Sequence, residues 1–180
     1  MLINPVICGI VQIIMKLVRI ILTASALFVA SSCFADLKSD WQKLLDKYVA
    51  LNLKRDIKGF DALVMQTFTP DFKFTSKAGQ TMSRQQWIDQ SHEEMKMTGK
   101  VTKVVFHADS IKMMGKDKAL CKVSIIFEGM VQMDPKSKPA AMKSTAKTDQ
   151  ILVKKGNKWW LQSMTNTDEA MTLNGKPFKG

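Results

Sequence analysis

The sequence has few of the side chains that usually carry metal or nucleophilic chemistry. Its 180 residues include three cysteines, two histidines and one tyrosine. His92 and His107 lie fifteen positions apart, and no Cys-x-x-Cys pair occurs. Because zinc sites need clustered Cys and His ligands, this spacing predicts no metal site. Glycine-rich phosphate loops and the Gly-x-Ser-x-Gly elbow are also missing, so we expect no nucleotide cofactor and no serine-hydrolase chemistry.

Arginine is scarce as well, although the chain is strongly basic. After residue 35 it occurs only at Arg55 and Arg84, whereas the formal net charge of the chain is +11. The excess comes from lysines that are scattered along the sequence. Since arginine is the usual residue for reading bases and phosphates, this composition argues against specific nucleic-acid binding. We expect a solvated basic surface that favours encounters with anionic surfaces.

The first 35 residues have the pattern of an export signal. The short basic segment Met15–Arg19 precedes the apolar run Ile20–Ala30, and a small residue, Ala35, ends the stretch. This three-part order is typical of a secretory signal peptide, with translation starting at Met15. We therefore expect residues 1–35 to be a cleaved signal peptide and residues 36–180 to form a single periplasmic or secreted domain.

Two other interpretations of the leader stay open. Ala30-Ser31-Ser32-Cys33 is similar to a lipobox, which would make Cys33 a lipidated residue. The stretch Leu17–Ala35 is also long enough to span a bilayer as an uncleaved anchor. Only the lipoprotein and the anchor interpretations imply membrane attachment. In these two, as with a cleaved signal peptide, the domain is expected to lie outside the cytoplasm. The remaining cysteine, Cys121, alternates with apolar neighbours and is expected to be a buried, inert thiol.

Three helices are predicted before the main strands. Apolar residues at helical spacing predict an amphipathic helix over Leu37–Leu51 and a second over Ile57–Phe68. The second ends before Pro70, because the residue preceding proline is pushed out of the α region. A third helix, from Arg84 to Met97, follows the capping box of Ser83 and Gln86.

Long strands make up the second half of the chain. The segment Val101–Val131 consists of two arms rich in Val, Ile and Phe around a Gly115–Lys118 turn, which predicts a hairpin. A short strand, Asp71–Thr75, precedes it, and the strands Met142–Lys154 and Trp159–Thr167 follow. The tail from Asp168 onward is expected to fray. Helices followed by strands predict an α+β fold, with three helices packed on a curved antiparallel sheet.

Three stretches together resemble the NTF2-like superfamily, in its SnoaL-like and DUF4440-type branches. They are the helix-to-strand segment Phe68–Phe74, the turn and helix start Gly79–Trp87, and the final hairpin Thr148–Leu161. The resemblance implies a cone in which a bent sheet wraps around the helices and leaves a pocket at its open end. It also implies a homodimer that pairs through the sheet. Members include isomerases, dehydratases and non-catalytic modules, so the fold alone does not determine an activity.

Candidate site residues follow from what an isomerase or dehydratase of this fold needs, namely an acid/base and a hydrogen-bond donor. His107 and Asp149 are the candidate bases, and Tyr48 is the candidate donor. Each also has a structural interpretation, with His107 and Asp149 facing solvent and Tyr48 in the core. The candidate pocket-lining residues are Trp41, Trp87, Met95, Phe127 and Trp160.

The leading interpretation is an exported domain that binds a small apolar ligand in its cone, dimerises through its sheet, or does both. The thirteen methionines favour adaptable apolar packing, which also suits greasy ligands. One alternative is an enzyme of the ketosteroid-isomerase or SnoaL type. Another is an envelope lipoprotein whose basic surface meets anionic polymers. The sequence names no substrate.

Overall fold

A computed structural model of the chain describes residues 36–132 and 138–177. The chain divides into two units, Met1–Ser39 and Asp40–Gly180, and the account below concerns the larger one. The predicted signal peptide, the start at Met15 and the lipobox cysteine lie outside the described residues. Over the described part of the chain, no helix is long and apolar enough to cross a membrane.

The three predicted helices are present. Helix α1 covers residues 36–54, α2 covers Ile57–Thr67 and α3 covers Arg84–Met97. The predicted capping box is confirmed, since Ser83 Oγ accepts from the Gln86 N–H and Gln86 Oε1 accepts from the Ser83 N–H. These two bonds satisfy donors that a helix start otherwise leaves unpaired, which explains why α3 begins where the sequence indicates.

Within the described residues, seven strands form one sheet in the spatial order β2-β1-β6-β5-β4-β3, with β7 paired to β6. The predicted hairpin is the β3–β4 pair, whose strands are 16 and 14 residues long. The strands are β1 Phe68–Thr75, β2 Thr81–Ser83, β3 Thr98–Met113, β4 Lys118–Val131, β5 Ala140–Lys155, β6 Lys158–Leu173 and β7 Lys176–Pro177.

The prediction of an entirely antiparallel sheet was wrong at β1. This strand runs parallel to β6, with Phe68 opposite Leu161 and Phe74 opposite Met164. The register shifts between Phe68 and Lys73, around Pro70, which cannot donate a ladder hydrogen bond. Parallel partners are joined by long connections, and here α3 and four strands separate β1 from β6 along the chain. No local pattern in either segment specifies that direction.

The prediction of a frayed tail from Asp168 was also wrong. Strand β6 continues to Leu173, and the two-residue turn Asn174-Gly175 leads into β7. Both turn residues have positive φ, 49° and 78°, which Asn and Gly tolerate best. Asn174 also ties the turn to β5, since its N–H donates to Ala141 O and its Oδ1 accepts from the Ala141 N–H.

The helices pack on one face of the sheet, here called the inner face. Inner-face residues of β4 and β5, including Cys121, Val123 and Leu152, are fully buried. Helix α1 is attached to the edge strand β3 through Gln42, whose Nε2 donates to Phe106 O and whose Oε1 accepts from the Ala108 N–H, both at 2.8 Å. One side chain thereby pairs two edge groups that would otherwise need water.

Candidate functional site

A small cavity lies between the three helices and the inner face of the sheet. Its volume is about 30 Å³, which is room for one water molecule. Twelve side chains line it, and nearly all of them are apolar or aromatic. They are Trp41, Leu44, Leu45, Tyr48, Leu63, Thr67, Phe68, Trp87, Phe106, Gln150, Leu161 and Met164.

Gln150 of β5 is the polar residue that the sheet contributes to this cavity. Its side chain is buried, with 2% of its surface exposed. Trp41 Nε1 donates to Gln150 Oε1 at 2.9 Å, and Gln150 Nε2 contacts the Met164 sulfur at 3.6 Å. Because both ends of the amide have partners, Gln150 orients Trp41 at low energetic cost in an apolar setting.

Tyr48 of α1 packs its ring in the aromatic wall of the cavity, and its hydroxyl interacts with the side chains of Ser91, Trp87 and Asn52. Its ring centroid lies 5.2 Å from that of Phe60 and 5.5 Å from that of Phe106. Burial raises the pKa of the Tyr48 phenol well above its usual value of 10, and the charge of Glu94 raises it further. Interactions with Ser91, Trp87 and Asn52 act in the opposite direction but do not cancel the rise. The phenol, which would be neutral at pH 7 even at its usual pKa, stays protonated to a higher pH and can donate a hydrogen bond.

Trp87 of α3 supplies a second donor at the same place. Its Nε1 is buried and makes no hydrogen bond to the described residues that meets normal geometry, although the Tyr48 phenol is near enough to interact with it. Phe74 holds the indole from one side, at a centroid distance of 4.9 Å. A buried donor left without an acceptor costs roughly 1–3 kcal/mol, so the Trp87 Nε1–H is suited to donate a hydrogen bond to an acceptor on a bound molecule.

Two of the five predicted pocket residues, Trp41 and Trp87, line this cavity, and the other three do not. Met95 is buried in α3, away from the lining. Phe127 is half-buried in β4. Trp160 pairs with Val153, while the next residue, Leu161, lines the cavity, so Trp160 projects from the opposite, outer face of the sheet.

The two predicted bases lie on the outer face as well. Phe106 and Gln150 line the cavity, so their neighbours His107 and Asp149 point the other way. His107 is exposed, and Asp149 is ion-paired with Lys122 at 3.0 Å. Their catalytic role stays a prediction, and the structure does not bring either of them together with Tyr48 in this cavity.

The sequence analysis missed the contact between His92 and Asp61. His92 Nε2 lies 2.7 Å from Asp61 Oδ1, joining α3 to α2 across 31 positions. The His92 ring also meets Phe60 edge-on at 6.3 Å. Neither polar residue lines the cavity, so the pair serves to attach the two helices. Nothing local marks these residues as partners, because each reads as a polar position on the flank of its own helix.

Gln150 was missed too, although a signal for it exists. It shares a strand face with the apolar residue Leu152, and a polar side chain on an otherwise buried face is informative. As regards metals, the described ranges contain no group of three or more His, Cys, Asp or Glu side chains that is able to hold an ion.

Many solved structures have a similar fold, and three examples are 11% to 16% identical to this chain. An NTF2-like protein from Rhodospirillum rubrum is 16% identical, with a TM-score of 0.51, over 68% of this chain and 93% of that one. An NTF2-like superfamily protein from Salmonella enterica serovar Typhimurium is 16% identical, with a TM-score of 0.53, over 74% and 91%. A type 2 hexachlorocyclohexane dehydrochlorinase is 11% identical, with a TM-score of 0.57, over 81% and 91%.

These likenesses define the class of fold. Three helices on one face of a mixed sheet, matched across most of each of these structures, give this chain an NTF2-like fold. No protein-family model and no curated protein sequence matches the chain. At these identities only the fold is shared, and structures with this fold include both a protein of unknown function and a dehydrochlorinase.

Proposed function

We propose that this protein binds a small apolar molecule carrying a hydrogen-bond acceptor, in the cavity between its helices and the inner face of its sheet. The observation that carries the proposal is the lining of that cavity. Its twelve residues are mostly aromatic and aliphatic, and they include neither a carboxylate nor an imidazole. Apolar walls with a few placed polar groups are the usual composition of a small-molecule site.

The acceptor requirement comes from Tyr48 and Trp87. The Tyr48 phenol is protonated at neutral pH and can donate a hydrogen bond, and the buried indole N–H of Trp87 makes no hydrogen bond of normal geometry to the described residues. A carbonyl or ether oxygen placed between them would pair a donor that is otherwise buried without a partner. A pure hydrocarbon would leave that donor unpaired and therefore bind less tightly.

The size of the cavity restricts the ligand. At about 30 Å³ it is far smaller than the several hundred Å³ of a site for drug-sized molecules. Binding therefore requires the wall to move, and Met164 is the lining side chain best suited to do so. Methionine has three rotatable bonds and no branching, which makes its displacement inexpensive. We expect weak binding of compact ligands, with the cavity widening as they enter.

Acetophenone and ethylbenzene provide a matched pair of probes, because they have similar shapes and only the first has a carbonyl oxygen. Binding is measured by titrating each into the protein while following the indole N–H resonances of the four tryptophans. We expect acetophenone to bind more tightly and to shift the Trp87 resonance. In Trp87→Phe the preference for acetophenone should disappear, whereas Trp159→Phe should retain it. Equal affinities for the two probes in the unmodified protein would refute the proposal.

A second proposal is self-association through the part of the outer face around Val105 and Ile126. Val105, 37% exposed, lies opposite Ile126 on that face. Around this apolar pair, charges of both signs alternate, as in the Lys143–Glu128 contact at 3.2 Å. A two-fold related copy can place each charge against its opposite, which favours a symmetric interface. Sedimentation should show a dimer that Val105→Lys weakens and that Leu53→Lys, on the exposed side of α1, leaves intact.

We also propose that the protein acts outside the cytoplasm, on the strength of the signal-peptide pattern in residues 1–35. Mass spectrometry of the protein isolated from cells tests this directly. An N-terminus at Asp36 is expected. A diacylated Cys33 would instead establish the lipoprotein form, and an intact N-terminus would support an uncleaved anchor.

A further inference from the structure

Lysines that are far apart in the sequence gather at one end of the sheet. The β3–β4 and β5–β6 turns lie side by side there, joined by a hydrogen bond from the Lys154 N–H to Asp117 O at 2.8 Å. Six lysines of this end are exposed, and among the described residues none of their ammonium groups lies within 4 Å of a carboxylate. They are Lys112, Lys116, Lys118, Lys154, Lys155 and Lys158.

Two acidic groups face these lysines. Asp117 lies in the β3–β4 turn, and Asp71 of β1 is near enough to Lys155 to feel its charge. Two further carboxylates lie nearby on the outer face and already have partners. Asp149 is ion-paired with Lys122, and Asp109 of β3 accepts a hydrogen bond from Ser124 Oγ at 2.6 Å. The end of the sheet therefore carries a clear excess of positive charge.

An apolar surface lies between the lysines on the outer face. Leu120 is opposite Ile151, and Val153 is opposite Trp160, and all four are half-buried rather than covered. The ammonium group of Lys158 sits 4.8 Å above the Trp160 ring. We define the basic end patch as Leu120, Ile151, Val153 and Trp160 together with Lys112, Lys118, Lys155 and Lys158. Beyond it, Met114 at the tip of the β3–β4 turn is 53% exposed.

Charge rules out the simplest occupant, a second copy of the chain. Two patches placed face to face would bring the same unpaired lysines together, with little acid to offset them. Nucleic acid is a poor match, because both arginines of the described residues, Arg55 and Arg84, lie outside the patch. An exposed Met and a half-buried Trp amid lysines instead match the boundary between lipid headgroups and acyl chains.

We propose that the basic end patch docks on the surface of a bilayer that contains anionic phospholipids. The lysines contact the headgroup phosphates, while Trp160 and Met114 enter the interfacial layer. Near an anionic surface each lysine contributes on the order of 1 kcal/mol, which is about a fivefold change in partitioning. Four lysines on one patch therefore suffice for reversible docking without insertion of a helix.

The first test measures co-sedimentation of the full chain, as isolated from cells, with vesicles of phosphatidylcholine containing or lacking phosphatidylglycerol. We expect a preference for the phosphatidylglycerol vesicles that weakens as salt is raised. Lys118→Gln/Lys158→Gln should reduce that binding roughly 20-fold or more. The control Lys47→Gln/Lys58→Gln removes the same charge from helices α1 and α2 and should have a small effect. An equal loss in both variants would overturn the proposal.

A second readout separates the patch from the N-terminal residues. Vesicles with brominated acyl chains quench tryptophans that reach the interface. The quenching should be lost in Trp160→Phe and retained in Trp159→Phe, because Trp159 is on the other face of β6.

Binding of polyphosphate distinguishes a soluble anionic polymer from a bilayer as the partner. If polyphosphate binds with the same lysine dependence and vesicles do not quench Trp160, the partner is an anionic polymer and the bilayer proposal fails.

Discussion

Trp41 of α1 and Gln150 of β5, 109 positions apart, are joined by a 2.9 Å hydrogen bond at the wall of the cavity. The indole nitrogen donates and the amide oxygen accepts, and both side chains are buried. A buried polar pair of this kind adds modest net stability when intact, but it is costly to break on one side only. It therefore fixes how α1 is positioned on the sheet.

Gln150→Leu should destabilise the protein by about 1–3 kcal/mol, because it keeps the side-chain volume and leaves the Trp41 N–H without an acceptor. Urea unfolding measures the change. In a Trp41→Phe background the same substitution should cost much less, since no donor remains to be orphaned. Equal costs in the two backgrounds would show that the hydrogen bond does not couple these residues.

Tyr48 is the only tyrosine of the chain, so its ionisation is readable in the absorbance at 295 nm. Because burial raises the pKa of the phenol above 10, the folded protein should show no tyrosinate signal at the pH where the unfolded chain titrates. The unfolded state then releases a proton that the folded state keeps, so this stabilisation is complete below pH 10 and is lost above it. In Tyr48→Phe the free energy of unfolding should therefore fall less steeply than in the unmodified protein as the pH rises past 10. A normal titration of Tyr48 in the folded protein would contradict the buried environment.

His107→Ala and Asp149→Ala test the enzymatic alternative. Both residues lie on the outer face, away from the cavity, so neither substitution should change acetophenone binding. Unfolding free energies should change by less than about 1 kcal/mol, since His107 is exposed and Asp149 loses only a surface ion pair. If any isomerase or dehydratase turnover is detected and either substitution abolishes it, the catalytic interpretation of these two residues gains support over the binding one.

Gly175→Ala should weaken the end of β6. Gly175 has φ of 78°, a region that costs a residue with a Cβ about 1 kcal/mol or more. Hydrogen exchange of the Thr172 and Leu173 amides should become faster, because these residues pair with β7. Exchange in α2 should be unchanged, and uniform acceleration across the chain would indicate global rather than local destabilisation.

Local patterns predicted the elements well because each signal acts over a few residues. The capping box of Ser83 and Gln86 placed the start of α3, and Pro70 placed the end of α2 within one residue. The turn around Gly115 placed the β3–β4 hairpin. The prediction of a frayed tail was wrong even though the sequence carries a contrary signal, since Asn174-Gly175 is a strong two-residue hairpin turn between β6 and β7.

The candidate site was predicted only in part, because it is assembled from elements distant in the chain. Helical spacing put Trp41 and Tyr48 on the packed face of α1, and both line the cavity. His107 looked suggestive because it lies among apolar residues, but alternation along β3 turns it outward. A one-residue change of register would reverse that outcome, and register depends on the pairing of β3 with β4.

By itself, the sequence determined the α+β class and the order and bounds of most elements, since these depend on composition and on contacts within a few positions. Tertiary structure alone decided the rest. It paired β1 in parallel with β6, joined Trp41 to Gln150 and His92 to Asp61, and gathered scattered lysines at one end of the sheet. Such relationships arise from strand direction and register, which are properties of the packed chain rather than of any one segment.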